Sequence, residues 1–368
     1  MRVLVFTPSY PRYQGDYHGS FVQALCRRLS RHVELTVLAP RSRTMNQYSE
    51  PYNVIRFPYL PWRSCELVAE RTMVDAPGSS LVQLPPYLVS AYLHHLKDRY
   101  DLVHTHLVIP LGLLASHNPR RVPQLVTCHG SDITLPCKHS IYAPATTHTL
   151  RRADHVVTVS KHLERLVHRL GASHQKTETI YMGVDVEKFK PGRRKGPQTI
   201  GALGRIIPGK NLADLLKAVS LLQGSRDVRL LVGGDGPHLP ALRKLSSDLG
   251  LRDTHFLGRV HDSPRFHRLC DVFALASVNE GLSVSLQEAM ASGCVPVAAD
   301  AWGSRELITD GVDGFLYRPR DVIALAARLE AAMDAPGVGV NARETIVSGF
   351  NLGRNYKMYL DAYVRALG

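Results

Sequence analysis

The chain has 368 residues, 44 % of them apolar and 21 % charged, with a formal net charge of +13. Such a chain is too long for one small core and suggests a soluble protein of two ordinary domains. No window approaches the roughly 18 consecutive apolar residues that would span a bilayer. The opening MRVLVFTPSYP reads as a buried first strand, not a signal peptide. Six cysteines, at 26, 65, 128, 137, 270 and 294, form no C-x-x-C pair. Neither a zinc site nor a disulfide framework is indicated, and reduced thiols in a cytosolic protein fit best. The positive excess is uneven: residues 1–190 carry 23 Lys/Arg against 14 Asp/Glu, and the remainder 22 against 18, so net charges are +9 and +4. A basic surface can serve nucleic acid, anionic lipid or a phosphorylated substrate, or simply keep the protein in solution. With no dense basic run interleaved with aromatics, nucleic acid is the weakest of these and is not expected as a partner.

In chain order, RVLVFTP (2–8) reads as a strand and SFVQALCRRLSR (20–31) as a helix. VELTVLAP, DLVHTH, QLVTCHG and HVVTVS are further strands with helices between. The pattern breaks at VEKFKPGRRKGPQ (186–198), polar, basic and rich in Gly and Pro, and then restarts. TIGALGR, VRLLVGG, THFLGRV, VFALAS and VPVAAD are strands, NLADLLKAVSLL and HLPALRKLSSDLG helices, and RNYKMYLDAYVRAL an amphipathic final helix. This alternation predicts an α/β protein of two doubly wound, Rossmann-like domains with parallel sheets covered on both faces. The expected boundaries are 1–186, a linker at 187–198, and 199–351, with a last helix at about 352–368 packing back on the first domain.

In such sheets ligands sit beyond the carboxyl ends of strands, near helix N-termini. GRIIPGKNL (204–212) resembles a phosphate loop, but Asn211 replaces the hydroxyl that would hold magnesium and Pro208 removes a donor. Arg205 and Lys210 are then either a metal-free phosphate clamp or two solvated cations. VGGDGPHLP (232–240) lacks the third glycine of a dinucleotide fingerprint; close approach of its backbone to a ligand remains reasonable. Gly19, at the mouth of the first helix, either lets the chain pass near a phosphate or opens an ordinary loop capped by Ser20. HTH (104–106) and CHGSD (128–132) bring histidines and an acid to two strand ends. His104 and His106 are expected on opposite faces of their strand, so that at most one, with His106 the candidate, looks toward a ligand. His129 with Asp132 is better placed to touch a sugar hydroxyl. NEGLSVSLQEAMASG (279–293) sets Glu280 in a loop and Glu288 on the second turn of the helix after it. Between them Gly281, Leu282 and Ser283 offer amides at the helix start. One acid is explained by helix capping; two around an anion cradle match a nucleotide sugar, with its sugar, diphosphate and ribose.

The ordered set of E-x7-E followed by AMASG, G-R-x4-K-N, HGSD, MGVD and R-x-x-G-D-x-x-G-x-F-V resembles glycosyltransferase family 4, retaining enzymes of GT-B fold, along nearly the whole chain. The resemblance implies two facing Rossmann-like domains with the active site in the cleft. It implies Glu280 on the transferred sugar, Glu288 on the ribose, Arg205 and Lys210 on the diphosphate, Gly19 near it, and His129 near the reacting sugar. Met182 departs from the Asn that commonly precedes G-V-D. No D-x-D motif lies in a suitable loop, so neither metal nor other cofactor is expected. A UDP- or GDP-type nucleotide sugar, used as substrate, is the expected donor. The implied activity is retaining transfer of its sugar to a saccharide or lipid-linked acceptor, in envelope polysaccharide or glycolipid synthesis. The leaving phosphate itself is expected to take the acceptor proton. A nucleotide-sugar epimerase and an inactive scaffold or regulatory partner of the same fold are the competing readings. The basic first half, with Arg27, Arg28 and Arg31 on one helix and Arg151 and Arg152 later, adds an anionic membrane surface as an expected partner. The protein is expected in the cytoplasm, peripheral at the inner face of the cell membrane.

Overall fold

The computed structural model describes residues 1–46, 48–62, 66, 82–192, 196–278 and 280–368. Cys65 and linker residues 193–195 lie outside them. The chain forms two compact units, Met1–Met182 with Arg354–Gly368, and Gly183–Gly353.

The first unit is built on a seven-stranded sheet of order β3-β2-β1-β4-β5-β6-β7. Its strands are β1 (Arg2–Phe6), β2 (Glu34–Pro40), β3 (Asn53–Phe57), β4 (Leu102–His106), β5 (Gln124–Cys128), β6 (His155–Thr158) and β7 (Thr177–Thr179), all parallel. β4, β5 and β6 are buried at every position, their His, Thr and Gln side chains included, as central strands covered on both faces are. β3 and β7, at the two edges, are mostly half-buried, and neither was evident in the sequence. The helix Ser20–Leu29 turns Val22, Leu25, Cys26 and Leu29 inward. It ends before Arg31, which lies in the following turn and not on the helix as expected. The final helix, Leu352–Leu367, buries Tyr359, Ala362, Tyr363 and Ala366. Tyr363 reaches His104 of β4, and Arg365 pairs with Glu178 of β7.

The second unit repeats the plan. β8 (Gln198–Leu203), β9 (Val228–Gly233), β10 (Thr254–Gly258), β11 (Val272–Leu275), β12 (Val295–Ala299) and β13 (Phe315–Tyr317) form a parallel sheet of order β10-β9-β8-β11-β12-β13. Helices Leu212–Leu222 and Val322–Asp334 pack Leu215, Leu216, Val219, Leu325 and Leu329 against Ile200, Leu230 and Val297 of the sheet. In both units strand order reverses beside the first strand, between β1 and β4 and between β8 and β11. Such switch points open a crevice at the carboxyl edge of the sheet, where doubly wound folds bind ligands.

Candidate active site

In the second unit the predicted donor residues flank the β8/β11 switch point. β8 ends at Leu203, and the loop after it lies directly on the loop after β9. The Gly204 N–H donates to Gly233 O at 3.1 Å, Ile206 N–H to Asp235 O at 3.0 Å, and His238 N–H to Ile206 O at 3.1 Å. A Cβ on Gly234 would overlap the Gly204 carbonyl, and one on Gly236 the Ile206 carbonyl. These glycines are therefore required by loop-on-loop packing; the backbone they approach is the protein's own. A short turn over Pro208–Lys210 leads into Asn211, which holds the left-handed conformation at φ 49°. Asn tolerates that region better than most residues, and its Nδ2 donates to Ala276 O, beyond β11, at 3.2 Å. The residue that broke the phosphate-loop motif thus ties the β8 loop to the end of β11.

That tie sets Lys210 against Glu280. The ammonium pairs with Glu280 Oε1, which also accepts from Ser277 Oγ at 2.6 Å. The sequence kept the two charges apart, one for phosphate and one for sugar; the structure joins them. Their side chains are 28 % and 20 % exposed, open enough for a ligand to exchange with either. Gly204, Arg205, Lys210, Gly233 and Ala276 line a small pocket over the sheet edge. The helix Val284–Ala291 begins just after Gly281, Leu282 and Ser283, and Ser283 is its cap, its Oγ accepting from Leu286 N–H at 3.3 Å. Gly303 packs on the Gly281 carbonyl, where a Cβ would overlap. Glu288, on the second turn, has Oε2 3.4 Å from Nε2 of His267, a fully buried imidazole on the helix Ser263–Leu269 that the sequence did not single out.

In the first unit the candidates gather at the β1/β4 switch point and the neighbouring end of β5. His104 and His106 share one face of β4, their ring centroids 4.4 Å apart. The expectation of opposite faces is corrected: side chains alternate along a strand, so residues two apart project the same way. His104 is fixed on both sides, Nδ1 2.8 Å from the Tyr363 hydroxyl and Nε2 2.8 Å from Thr127 Oγ1. His106 Nδ1 lies 2.8 Å from His129 Nε2. Asp132 spends its carboxylate on backbone, Oδ1 accepting from His129 and Gly130 at 3.1 and 2.8 Å and Oδ2 from Val108 at 3.2 Å. It holds the His129 loop against the end of β4. Burial raises its pKa, and those amides offset part of the effect. Burial also keeps the imidazoles neutral: His104 is pushed down to about 3, His129 to about 4, and His106, repelled besides by its two neighbours, well below its ordinary value.

Gly19 holds φ 71° at the N-terminal end of the helix Ser20–Leu29, where a Cβ would overlap the Ser9 carbonyl; no side chain caps this helix, Ser20 included. The loop before it is locked by a buried Arg12–Asp16 pair at 2.6 Å. Burial opposes the Asp16 charge, but the Arg12 guanidinium outweighs it and holds the carboxyl below its usual range. Phe21, two residues after Gly19, meets the His129 ring with centroids 5.1 Å apart. Among the described residues, no group of three or more His, Cys, Asp or Glu could hold a metal ion, and no helix is long and apolar enough to cross a membrane.

Two family models match the chain, "Glycosyltransferase Family 4" over residues 18–188 and "Glycosyl transferases group 1" over residues 184–347. The GDP-mannose-dependent alpha-(1-6)-phosphatidylinositol monomannoside mannosyltransferase of Mycolicibacterium smegmatis is 27 % identical, over 88 % of this chain and 87 % of the relative. The UDP-Gal:alpha-D-GlcNAc-diphosphoundecaprenol alpha-1,3-galactosyltransferase of Escherichia coli is also 27 % identical, over 77 % and 80 %. Sucrose-phosphate synthase from Thermosynechococcus elongatus has the same fold, with TM-score 0.82 over 99 % of both chains at 18 % identity. With one family model on each of its two doubly wound halves, the chain belongs to the glycosyltransferases of the family 4 type, with GT-B fold.

Proposed function

We propose that this glycosyltransferase moves a sugar, with retention of anomeric configuration and without a metal ion, from a UDP- or GDP-type nucleotide sugar. The acceptor is a saccharide or lipid-linked saccharide of envelope polysaccharide or glycolipid synthesis, met at the inner face of the cell membrane. The observation that carries the donor assignment is the Lys210–Glu280 pair beside Arg205 at the β8/β11 switch point. Cleaving a glycosyl phosphate builds negative charge on the diphosphate and positive charge on the sugar ring. Arg205, Lys210 and the start of the helix Val284–Ala291 suit the first; Glu280, released from Lys210 when phosphate takes its place, suits the sugar hydroxyls. Glu288 suits the ribose diol. In the first unit His129 is the sugar-side group, held by Asp132 and His106, and Gly19 lets its loop approach the donor diphosphate. The two relatives bear on the donor and acceptor classes through their names alone, one taking GDP-mannose and a phosphoinositide, the other UDP-Gal and a diphosphoundecaprenol. A thermal-shift panel of UDP-, GDP- and ADP-sugars, followed by donor hydrolysis in EDTA with NMR of the released anomer, tests the reading. Stabilisation by one donor class and first release of the donor's own anomer are expected. Activity lost in EDTA and restored by magnesium or manganese would overturn the metal-free clamp, and an inverted first product would overturn retention.

A further inference from the structure

A neutral imidazole carries one N–H and one bare nitrogen, and its neighbours decide which is which. His106 closes β4 with 1 % of its surface exposed. Its Nδ1 lies 2.8 Å from His129 Nε2, whereas its own Nε2 is buried with no hydrogen-bond partner. The nearest imidazole, His104, has both nitrogens engaged by Tyr363 and Thr127 and offers nothing to that Nε2. Proton positions follow from partners. A proton on His106 Nε2 would be a buried N–H without an acceptor, which folded proteins rarely tolerate. On Nδ1 the same proton meets a base. The rings of His106 and His129 lie 18° from parallel with centroids 5.1 Å apart, the separation of two imidazoles joined edge to edge. The lone pair of one therefore faces the N–H of the other.

We propose that His106 is a positioning residue: it donates from Nδ1 to His129 Nε2 and so holds His129 as its Nδ1–H tautomer. The outer nitrogen of His129, which has no protein partner among the described residues, is thereby a hydrogen-bond donor aimed at sugar oxygens and not a base. This rests on the reading of His129 as the sugar-side group. It also explains why the acceptor proton must go elsewhere, to a leaving phosphate oxygen: the nitrogen that could take it is already protonated. An isolated neutral imidazole favours the opposite, Nε2–H form, so the selection is the work of the neighbour.

Nitrogen-15 NMR of the imidazoles in the full chain reads the tautomer directly. In the wild-type protein at pH 7, His129 is expected to show a protonated Nδ1 and a bare Nε2. His106→Gln, whose amide can still donate, should keep that form. His106→Leu should release it toward Nε2–H and lower sugar-transfer turnover about 10-fold, the size of one lost hydrogen bond. Affinity for the free nucleoside diphosphate should stay unchanged. A wild-type His129 protonated on Nε2 overturns the inference without recourse to any variant. So does wild-type turnover in a folded His106→Leu protein. If instead the tautomer is as stated but His129→Ala transfers sugar normally, the sugar-side reading of His129 fails, and the positioning role with it.

Discussion

Lys210 and Glu280 neutralise each other, so in the proposed site each is at once a ligand group and the other's counterion. On the proposed clamp, removing the ammonium would do two things: take a preorganised cation from the diphosphate and leave a carboxylate facing the same site. Lys210→Ala is therefore expected to lower turnover by about 10²-fold or more, the usual cost of a lost electrostatic contact to a charge that develops during reaction. Circular dichroism should show an intact fold, since both side chains are partly exposed. Near-normal turnover would remove Lys210 from the phosphate clamp. The two acids should separate in a different way. Glu280→Gln is expected to depress turnover with little change in affinity for the nucleoside diphosphate, because Glu280, held by Lys210 and Ser277, is the group proposed for the transferred sugar. Glu288→Gln should chiefly weaken nucleoside diphosphate binding. Calorimetric titration of the product into both variants decides this, and equal loss in the two would abolish the division of labour.

β4 and the turn after β5 carry a column of neutral imidazoles, His104 and His106 buried and His129 half-buried, and such a column is a liability in acid. The folded pKa values of His104, His106 and His129 all lie below the ordinary histidine value near 6.5. The unfolded chain thus binds more protons wherever pH lies between the folded and unfolded values. Stability is complete above about pH 6.5 and falls as pH drops toward 4, by up to about 4 kcal/mol per pH unit if all three histidines protonate on unfolding. Asp132, raised by burial, works in the opposite sense. Thermal unfolding from pH 7.5 to 4.5 should show a steep loss below 6.5 that His104→Gln reduces; a flat profile would contradict the neutral column. How much of this was legible follows from which signals are local. A run such as VPVAA announces a strand because burial on both faces leaves no alternation to hide. The half-buried edge strand NVIRF has no such run. Gly234 and Gly236 were visible as special positions, but their partners, Gly204 and Ile206, lie on a neighbouring loop that only strand order brings near. The same holds for Lys210 and Glu280, seventy positions apart, and for His267 behind Glu288. Residue types around the site could be read one by one; the loop-on-loop glycine packing required the β8–β9 adjacency and the Lys210–Glu280 pair the β8–β11 adjacency.

Across the whole molecule the charge of +13 is less available than its sum suggests. Arg27 is held by Glu50 through two hydrogen bonds, at 2.9 and 3.0 Å. Arg152 donates to the Ser116 carbonyl. Cations that keep their charge open to solvent still attract anionic lipid by about 1 kcal/mol each near the surface. Reversible binding to vesicles containing anionic lipid is therefore expected at low salt, with release at high salt as screening shortens to a few ångströms. Sedimentation with such vesicles measures it, and protein left in the supernatant at low salt would favour an acceptor free in solution. A last consequence concerns the order in which a ribosome delivers the parts. The second unit is one unbroken stretch, Gly183–Gly353, and can complete its sheet as soon as it emerges. The first unit, though synthesised earlier, must wait for residues 354–368, because Tyr363 supplies one of the two partners of His104 and Arg365 one of the partners of Glu178. The half of the protein made first is thus the half finished last, and through that interval its histidine column lacks the hydroxyl that closes it.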